Sequence, residues 1–280
     1  MSEPDERALS LDALRLRARV FRAIRAHLDA ADFIEVDTPL AVPCPGMDVH
    51  LAALEVVGLG APRWLATSPE FQMKRLLVAG LPRIYQLSKC FRKGELGRHH
   101  EPEFTMLEFY RANAGSDAVM RDTESLVESV AREICSGTTL PSGSDVAPPW
   151  PRVTIEAAFR DFAGVAVYDV LPDEERFYRI LIDAVEPALA ALPHPVFLTR
   201  WPACMASLAR LCPDDPRWAD RFEAYVDGLE QKLSSVGDDA QLANIDLQNK
   251  LQQQQQTLQT MSNVSKMLHD TAMAIIRKIG

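Results

Sequence analysis

"FRKGELGRHHEPEFTMLEFYR" occupies residues 91–111. Strand-like runs bound it, "RIYQLSKCFR" leading in and "EFTMLEFYR" leading out, so the stretch reads as a long hairpin. Its linker sets Arg92, Arg98, His99 and His100 close to Glu95, Glu101 and Glu103. Two readings are open. A charged hairpin tip can simply be solvated, with Glu108 pairing a nearby Lys or Arg. Or the same groups can form a nucleotide site.

Side chains alternate faces along a strand. One face of 103–111 takes Phe104, Met106, Glu108 and Tyr110, while Thr105, Leu107 and Phe109 on the other are suited to packing on helices. On the partner strand Gln86, Ser88, Cys90 and Arg92 share a face. If the two polar faces coincide, one surface offers a guanidinium, a carboxylate, an aromatic plane and a phenol. Arginine is a planar bidentate donor for phosphate or carboxylate. Phenylalanine gives a base a surface to stack on. Glu108 and Tyr110 can receive an ammonium group.

Working outward, "LDALRLRARVFRAIRAHLDAADF" has apolar residues at helical spacing. "FIEVDTPLAV" is a β-rich run broken at Pro39. "VHLAALEVVG" and "RWLAT" read as paired strands. "SPEFQMKRLLVAG" carries helix signals at both ends: Ser68 as N-cap, Pro69 at the first position and Gly80 at the stop. In the first turn, Glu70 favours the helix dipole. A helix is expected over 116–135, a loop over "SGTTLPSGSDVAPPWP", and helical stretches near 173–192 and 216–230. Hairpin-joined strands without repeating βαβ units favour an antiparallel sheet within an α+β fold.

The chain has 280 residues, 47% hydrophobic, enough for one sizeable core. A net charge of -9 argues against nucleic-acid binding driven by bulk charge. No run of 18 apolar residues appears, and the acidic start "MSEPDERALS" lacks the parts of a secretion signal. The five cysteines include no CxxC pair and read as reduced thiols of a cytoplasmic protein. Cys204 and Cys212 have no His-Asp company, and His50, His194 and His269 no ligand-like spacing.

Composition changes near residue 231. Before it the only glutamines are Gln72 and Gln86; the 50 residues after it hold nine, with no Pro, Trp, Tyr or Phe. With Leu247 at heptad position a, Met261, Leu268 and Ile275 follow at a, and Leu251, Leu258, Ala272 and Ile279 fall at d. Gln254 and Ser265 interrupt the seam. The segment 231–280 is therefore expected to be a Gln-rich amphipathic helix that packs on a coiled-coil partner.

The opening stretch resembles motif 2 of class II aminoacyl-tRNA synthetases, within the lysyl branch. "RARVFRAIRAHLDAADFIEVDTPLAVP" is similar to motif 1 of that class, and "TSPEFQMKRLLVAGLPRIYQLSKCFR" to the amino-acid-binding stretch before motif 2. "WPACMASLARL" and "RFEAYVDGLE" resemble the lysyl-synthetase-like branch of elongation factor P–lysine ligases. The likeness spans about 12–230, with a synthetase-like domain expected over 1–230 and no room before it for an anticodon-binding OB domain. It implies a class II sheet flanked by helices, a homodimer through motif 1, and use of ATP and Mg2+. It also implies activation of lysine or (R)-β-lysine as an adenylate and ligation to a lysine of elongation factor P. Arg92 would hold the α-phosphate and substrate carboxylate. Phe104 would stack on adenine, with Arg98 and His100 near the phosphates. Ser68, Pro69 and Glu70 would line the amino-acid pocket, Glu108 and Tyr110 would receive an amino group, and Glu230 would be the first carboxylate for Mg2+.

Three departures accompany the likeness. The family usually follows the motif arginine with Asn-Glu, whose glutamate contacts adenine or the amino group; here Lys93-Gly94 follow, with Glu95 next as its candidate substitute. Glu101 replaces the Asn before Pro-Glu-Phe. No GxGxDR-like motif 3 is found after "YVDGLE", so the catalytic sheet is expected to be incomplete at its C-terminal end and adenylation weak or lost. Residues 231–280 loosely resemble C-terminal helices of type III secretion filament or translocator proteins. That likeness gives an alternative: a non-catalytic assembly protein with a synthetase-like scaffold.

Overall fold

The computed structural model describes residues 11–45, 51–95 and 101–226. The helix expected over 231–280 lies outside them, as do Arg98, His100 and Glu230. The described residues form two compact units. The first takes 11–35, 82–85 and 110–226; the second takes 36–81 and 86–109 apart from the undescribed positions.

In the first unit, α1 (Leu11–Ala30) buries Ile24 and Leu28 and packs against α3 (Ser116–Cys135). The run "FIEVDTPLAV" makes two short strands, one on each side of Pro39. β1 (Ile34–Glu35) pairs in parallel with the start of β5 (Arg83–Phe91), and Pro39 separates it from β2 (Ala41–Val42) in another sheet. Proline has no N–H for a ladder, so the break falls where the sequence puts it.

The expected antiparallel sheet is corrected to a mixture. β7 (Arg152–Thr154) lies parallel to β8 (Val196–Pro202), which lies antiparallel to β9 (Trp218–Tyr225). Parallel neighbours need a long crossover. Here α4 (Ile155–Ala163), α5 (Glu174–Ile180) and α6 (Glu186–Ala190) supply it. α4 starts where Thr154 accepts a hydrogen bond from the Ala157 N–H at 3.1 Å, and α5 where Asp173 accepts from Arg176 at 3.0 Å. The helices close over β8 through a core of Ile155, Phe159, Phe177, Leu181, Val185, Leu198 and Trp201, in which Phe159 and Phe177 stack at 4.7 Å.

β9 overturns the helix expected near 216–230. Trp218, Phe222 and Tyr225 sit at helix-like intervals, but the segment pairs with β8 from Val196↔Tyr225 to Pro202↔Trp218. Aromatic residues suit a half-buried pleated surface, and tertiary pairing decides between two plausible local forms. A register shift between Thr199 and Trp201 leaves Arg200 at φ 56.

The second unit is built on a small antiparallel sheet of order β2-β4-β3, with β3 (Glu55–Val56) and β4 (Arg63–Leu65) paired as the sequence suggests. α2 (Glu70–Val78) begins one residue later than expected, with Pro69 in the cap position. Ser68 nonetheless accepts a hydrogen bond from the Glu70 N–H at 3.0 Å. At the other end Gly80, at φ 107, donates to Leu77 O and Leu81 donates to Leu76 O, a Schellman closure. Val42, Ala66, Met73 and Cys90 are buried in this unit, together with the polar Thr38, Thr67, Gln86 and Ser88. Buried polar groups need partners: Thr38 donates to Gln86 at 3.0 Å and Thr67 to the Pro45 carbonyl at 3.0 Å. β6 (Glu103–Arg111) neighbours β5 in a sheet of order β1-β5-β6.

Candidate functional site

Arg92 follows β5 directly, and its N–H donates to the Pro102 carbonyl at 2.9 Å. That bond ties the exit of β5 to the entrance of β6. The Lys93 N–H donates to Ala52 O at 2.7 Å, and Gly94 turns the chain at φ 86. No neighbouring atom would meet a Cβ at Gly94, so backbone conformation alone favours glycine there. The turn brings the Glu95 carboxylate within 3.7 Å of Arg92 Nη1.

The Arg92 guanidinium lies over the Phe104 ring, 4.9 Å from its centroid. A cation over an aromatic face is attracted by the ring quadrupole. Arg92 Nε is buried and has no hydrogen-bond partner among the described residues. An unpaired buried donor on a cation fits an anionic oxygen acceptor.

Four residues along β6, Glu108 accepts a hydrogen bond from Ser68 Oγ. Ser68 thus stands between two partners, giving its proton to Glu108 and taking the Glu70 N–H. Glu70 opens α2 and pairs with Lys74 one turn on. Sequence reasoning did not single out Lys74, although the i,i+4 spacing of Glu70 and Lys74 was readable. Tyr110 continues the Phe104–Glu108 face of β6 by alternation and belongs to the first unit. Pro69 occupies the cap position of α2, Lys93 is exposed in the turn, and Glu101 is exposed just before β6.

Cys90 lies among these groups and is fully buried. Burial pushes its thiol up to about 11; Ser88 and Arg92 oppose that shift and Glu108 adds to it. The thiol stays protonated at neutral pH and is no nucleophile. Arg92 after β5 and Phe104 on β6 meet through the cation over the ring, so the faces that carry them come together at this end of the hairpin. At the outer edge Lys89 pairs with Glu103 at 2.6 Å, the solvated kind of contact that the bland reading of the hairpin expects.

Among the described residues no group of three or more His, Cys, Asp or Glu could hold a metal ion. The carboxylates of the site are dispersed, with Glu70 on Lys74, Glu95 on Arg92 and Glu108 on Ser68. They do not fit a magnesium cage. No described helix is long and apolar enough to cross a membrane. All five cysteines are free thiols. A cavity of about 370 Å³ opens in the first unit, lined by Arg19, Arg22, Ser129, Arg132 and Glu133, and shares no residue with this site.

Comparison with known proteins gives the site a context. The chain matches the family "tRNA synthetases class II (D, K and N)" over residues 6–274, a span that crosses the composition change near 231. It is 35% identical over 238 residues to a lysine–tRNA ligase of Dehalococcoides mccartyi (strain CBDB1), covering 76% of this chain and 47% of that protein. It is 36% identical over 248 residues to an elongation factor P–(R)-β-lysine ligase of Vibrio cholerae, covering 79% of this chain and 72% of that protein. A ligase of the same description from Vibrio atlanticus is 34% identical over 249 residues, with 80% and 73% covered. The chain thus spans about half the length of the lysine–tRNA ligases that it matches.

Proposed function

The chain belongs to the class II tRNA synthetases of the D, K and N group, and from that membership we propose that it binds ATP and a lysine-type amino acid for activation as an adenylate. The acceptor in this reading is a lysine of elongation factor P, and the activated amino acid is lysine or (R)-β-lysine. The likeness to the Vibrio ligases, over 72% of the V. cholerae protein, supports that acceptor.

In the proposed reaction a carboxylate oxygen of the amino acid attacks the α-phosphorus. The bond from that phosphorus to the bridging oxygen breaks and pyrophosphate leaves. The acceptor amine then attacks the carbonyl and AMP leaves. Arg92 would hold α-phosphate oxygens, which gain negative charge as the phosphorus becomes five-coordinate. Its contribution is electrostatic, with no proton transferred. Phe104 would stack on adenine, as any aromatic face can. Glu108, held by Ser68, and Tyr110 would receive an ammonium group of the amino acid, with Pro69 and Glu70 beside them. Arg98 and His100 would lie near the phosphates. The described carboxylates make no cage for Mg2+, and Glu230, the residue proposed to hold it, lies outside the described part. No step is assigned to the metal.

The observation that supports this reading most is the Arg92 guanidinium over Phe104 with its buried Nε unpaired. Thermal shift and calorimetry with ATP and with lysyl-sulfamoyl adenosine test it. Both ligands are expected to stabilise the chain, and Arg92→Ala to weaken ATP by about tenfold or more, the scale of a lost charge-assisted hydrogen bond. No shift with either ligand would sink the reading. With bound ligand established, transfer of labelled amino acid to elongation factor P or to tRNA separates the two acceptors.

A further inference from the structure

We infer that Glu95 is a positioning residue that latches Arg92 over Phe104 and competes with an anionic ligand for it, so that it lowers the affinity of the site for polyphosphate. The inference rests on reading Arg92 as the polyphosphate holder.

The geometry behind it is local. Gly94 at φ 86 folds the chain back directly after Arg92 and Lys93. Few residues adopt that backbone, and a glycine there sets where the next side chain points. Glu95 consequently reaches Arg92 Nη1 at 3.7 Å. The pair is shielded on one side by the Phe104 ring, since the guanidinium lies 4.9 Å from its centroid. Arg92 is left 23% exposed and Glu95 32%. Both therefore lie between bulk water and a dry interior, where charges act more strongly than on an open surface.

Two consequences follow. The ring face that would take a base carries the guanidinium instead. A nucleotide must therefore draw the cation off the ring, or reach it with its phosphates first. The second consequence is that the carboxylate stands next to the cation that an incoming phosphate needs. A fixed negative charge there repels a polyanion and neutralises its partner at once. A residue that contacts adenine or an amino group directly would behave in the opposite way, because its removal would cost the ligand a bond. The sign of the effect on affinity thus tells a latch from a ligand contact.

The test is calorimetry of wild type, Glu95→Gln and Glu95→Asp with ATP, with inorganic tripolyphosphate and with lysine, each at low and at high salt. Glu95→Gln is expected to bind ATP and tripolyphosphate about two- to fivefold tighter, the scale of a partly exposed ion pair. The gain should shrink at high salt, and lysine affinity should not move. Glu95→Asp keeps the charge and is expected to stay near wild type. If Glu95→Gln does not fold, Glu95→Ala gives the same comparison. Equal or weaker polyphosphate binding in the uncharged variants overturns the latch. If tripolyphosphate follows the expected order but ATP binds no variant, the latch stands and the nucleotide reading fails. If neither ligand binds any form, both fall.

Discussion

Ser68 is a small side chain with two partners, Glu108 and the Glu70 N–H. Removing its hydroxyl takes a donor from a carboxylate and an acceptor from the start of a helix. Ser68→Ala is expected to cost about 1–2 kcal/mol of stability, from the two lost hydrogen bonds. It should also weaken binding of lysine more than of ATP, because Glu108 loses a hydrogen-bond donor while the contacts of Arg92 are untouched. Urea titration and calorimetry read the two effects; a larger loss for ATP would be at odds with this division. His27 gives a second prediction. It is half-buried on α1, its Nε2 lies 3.2 Å from Ser125 Oγ on α3, and Asp122 of α3 acts on it electrostatically. Burial holds its pKa below the usual 6.5, against the opposing pull of Asp122. A folded-state value below the unfolded one means that the unfolded chain binds the proton more readily. Its stabilising contribution is therefore present above pH 6.5 and is lost as pH falls below that value through the folded pKa. His27→Gln should flatten that loss when melting temperature is followed from about pH 8 down to pH 5. An unchanged acid slope would show that other groups carry it. At this scale the sequence was informative where spacing acts along one strand, as for Phe104 and Glu108. Spacing says nothing of Ser68 with Glu108, which lie 40 residues apart and meet only through the fold; only the family resemblance put both at the amino-acid pocket.

Elements were legible where one signal ran without a competitor. α3 appears over Ser116–Cys135, the limits that its pattern predicts, and Gly80 closes α2 as its position suggests. β9 was missed because its aromatic spacing fits a helix as well as a strand. Only the facing β8 resolves that ambiguity, and no local window contains both. The crossover between β7 and β8 was missed for a similar reason: three-residue β7 is too short to announce a strand. The loop between α3 and β7 reads as a plain linker, but Val146 and Trp150 within it are buried. What holds it is Glu124, a buried acid on α3 that accepts the Trp150 N–H at 2.8 Å and pairs with Arg152 at 3.2 Å. Glu124→Ala would leave the buried Trp150 N–H without its acceptor and take the carboxylate from Arg152, which keeps the Trp150 carbonyl at 2.8 Å. The expected cost is about 2 kcal/mol, the scale of a buried donor left without its charged acceptor. Chemical denaturation measures it, and a loss of a few tenths would mean that water substitutes for the carboxylate.

For the whole molecule, the useful fact is that the described residues divide into two units that bury different kinds of side chain. The first has the aromatic core around Phe159, Phe177 and Trp201. The second buries few large side chains and several polar ones, Thr38, Thr67, Gln86 and Ser88. An interior of that kind is costly to dry unless each polar group keeps its partner, and it gains less from apolar burial. The second unit also carries Arg92, Phe104, Ser68 and Glu108, so the weaker interior surrounds the candidate site. Binding should therefore show itself unevenly. A ligand that binds only the folded form stabilises it by about 2.7 kcal/mol at a concentration one hundred times its Kd. Local opening in a weakly held unit responds to that stabilisation, whereas exchange in a core that opens by other routes does not. With lysyl-sulfamoyl adenosine, amide exchange is expected to slow about tenfold or more over 66–78, 88–95 and 102–109. Exchange over 155–163 and 196–202, in the aromatic core, should change little. Protection confined to the aromatic core, with none over 88–95 and 102–109, would move the binding site away from Arg92 and end the case for the hairpin as a nucleotide clamp.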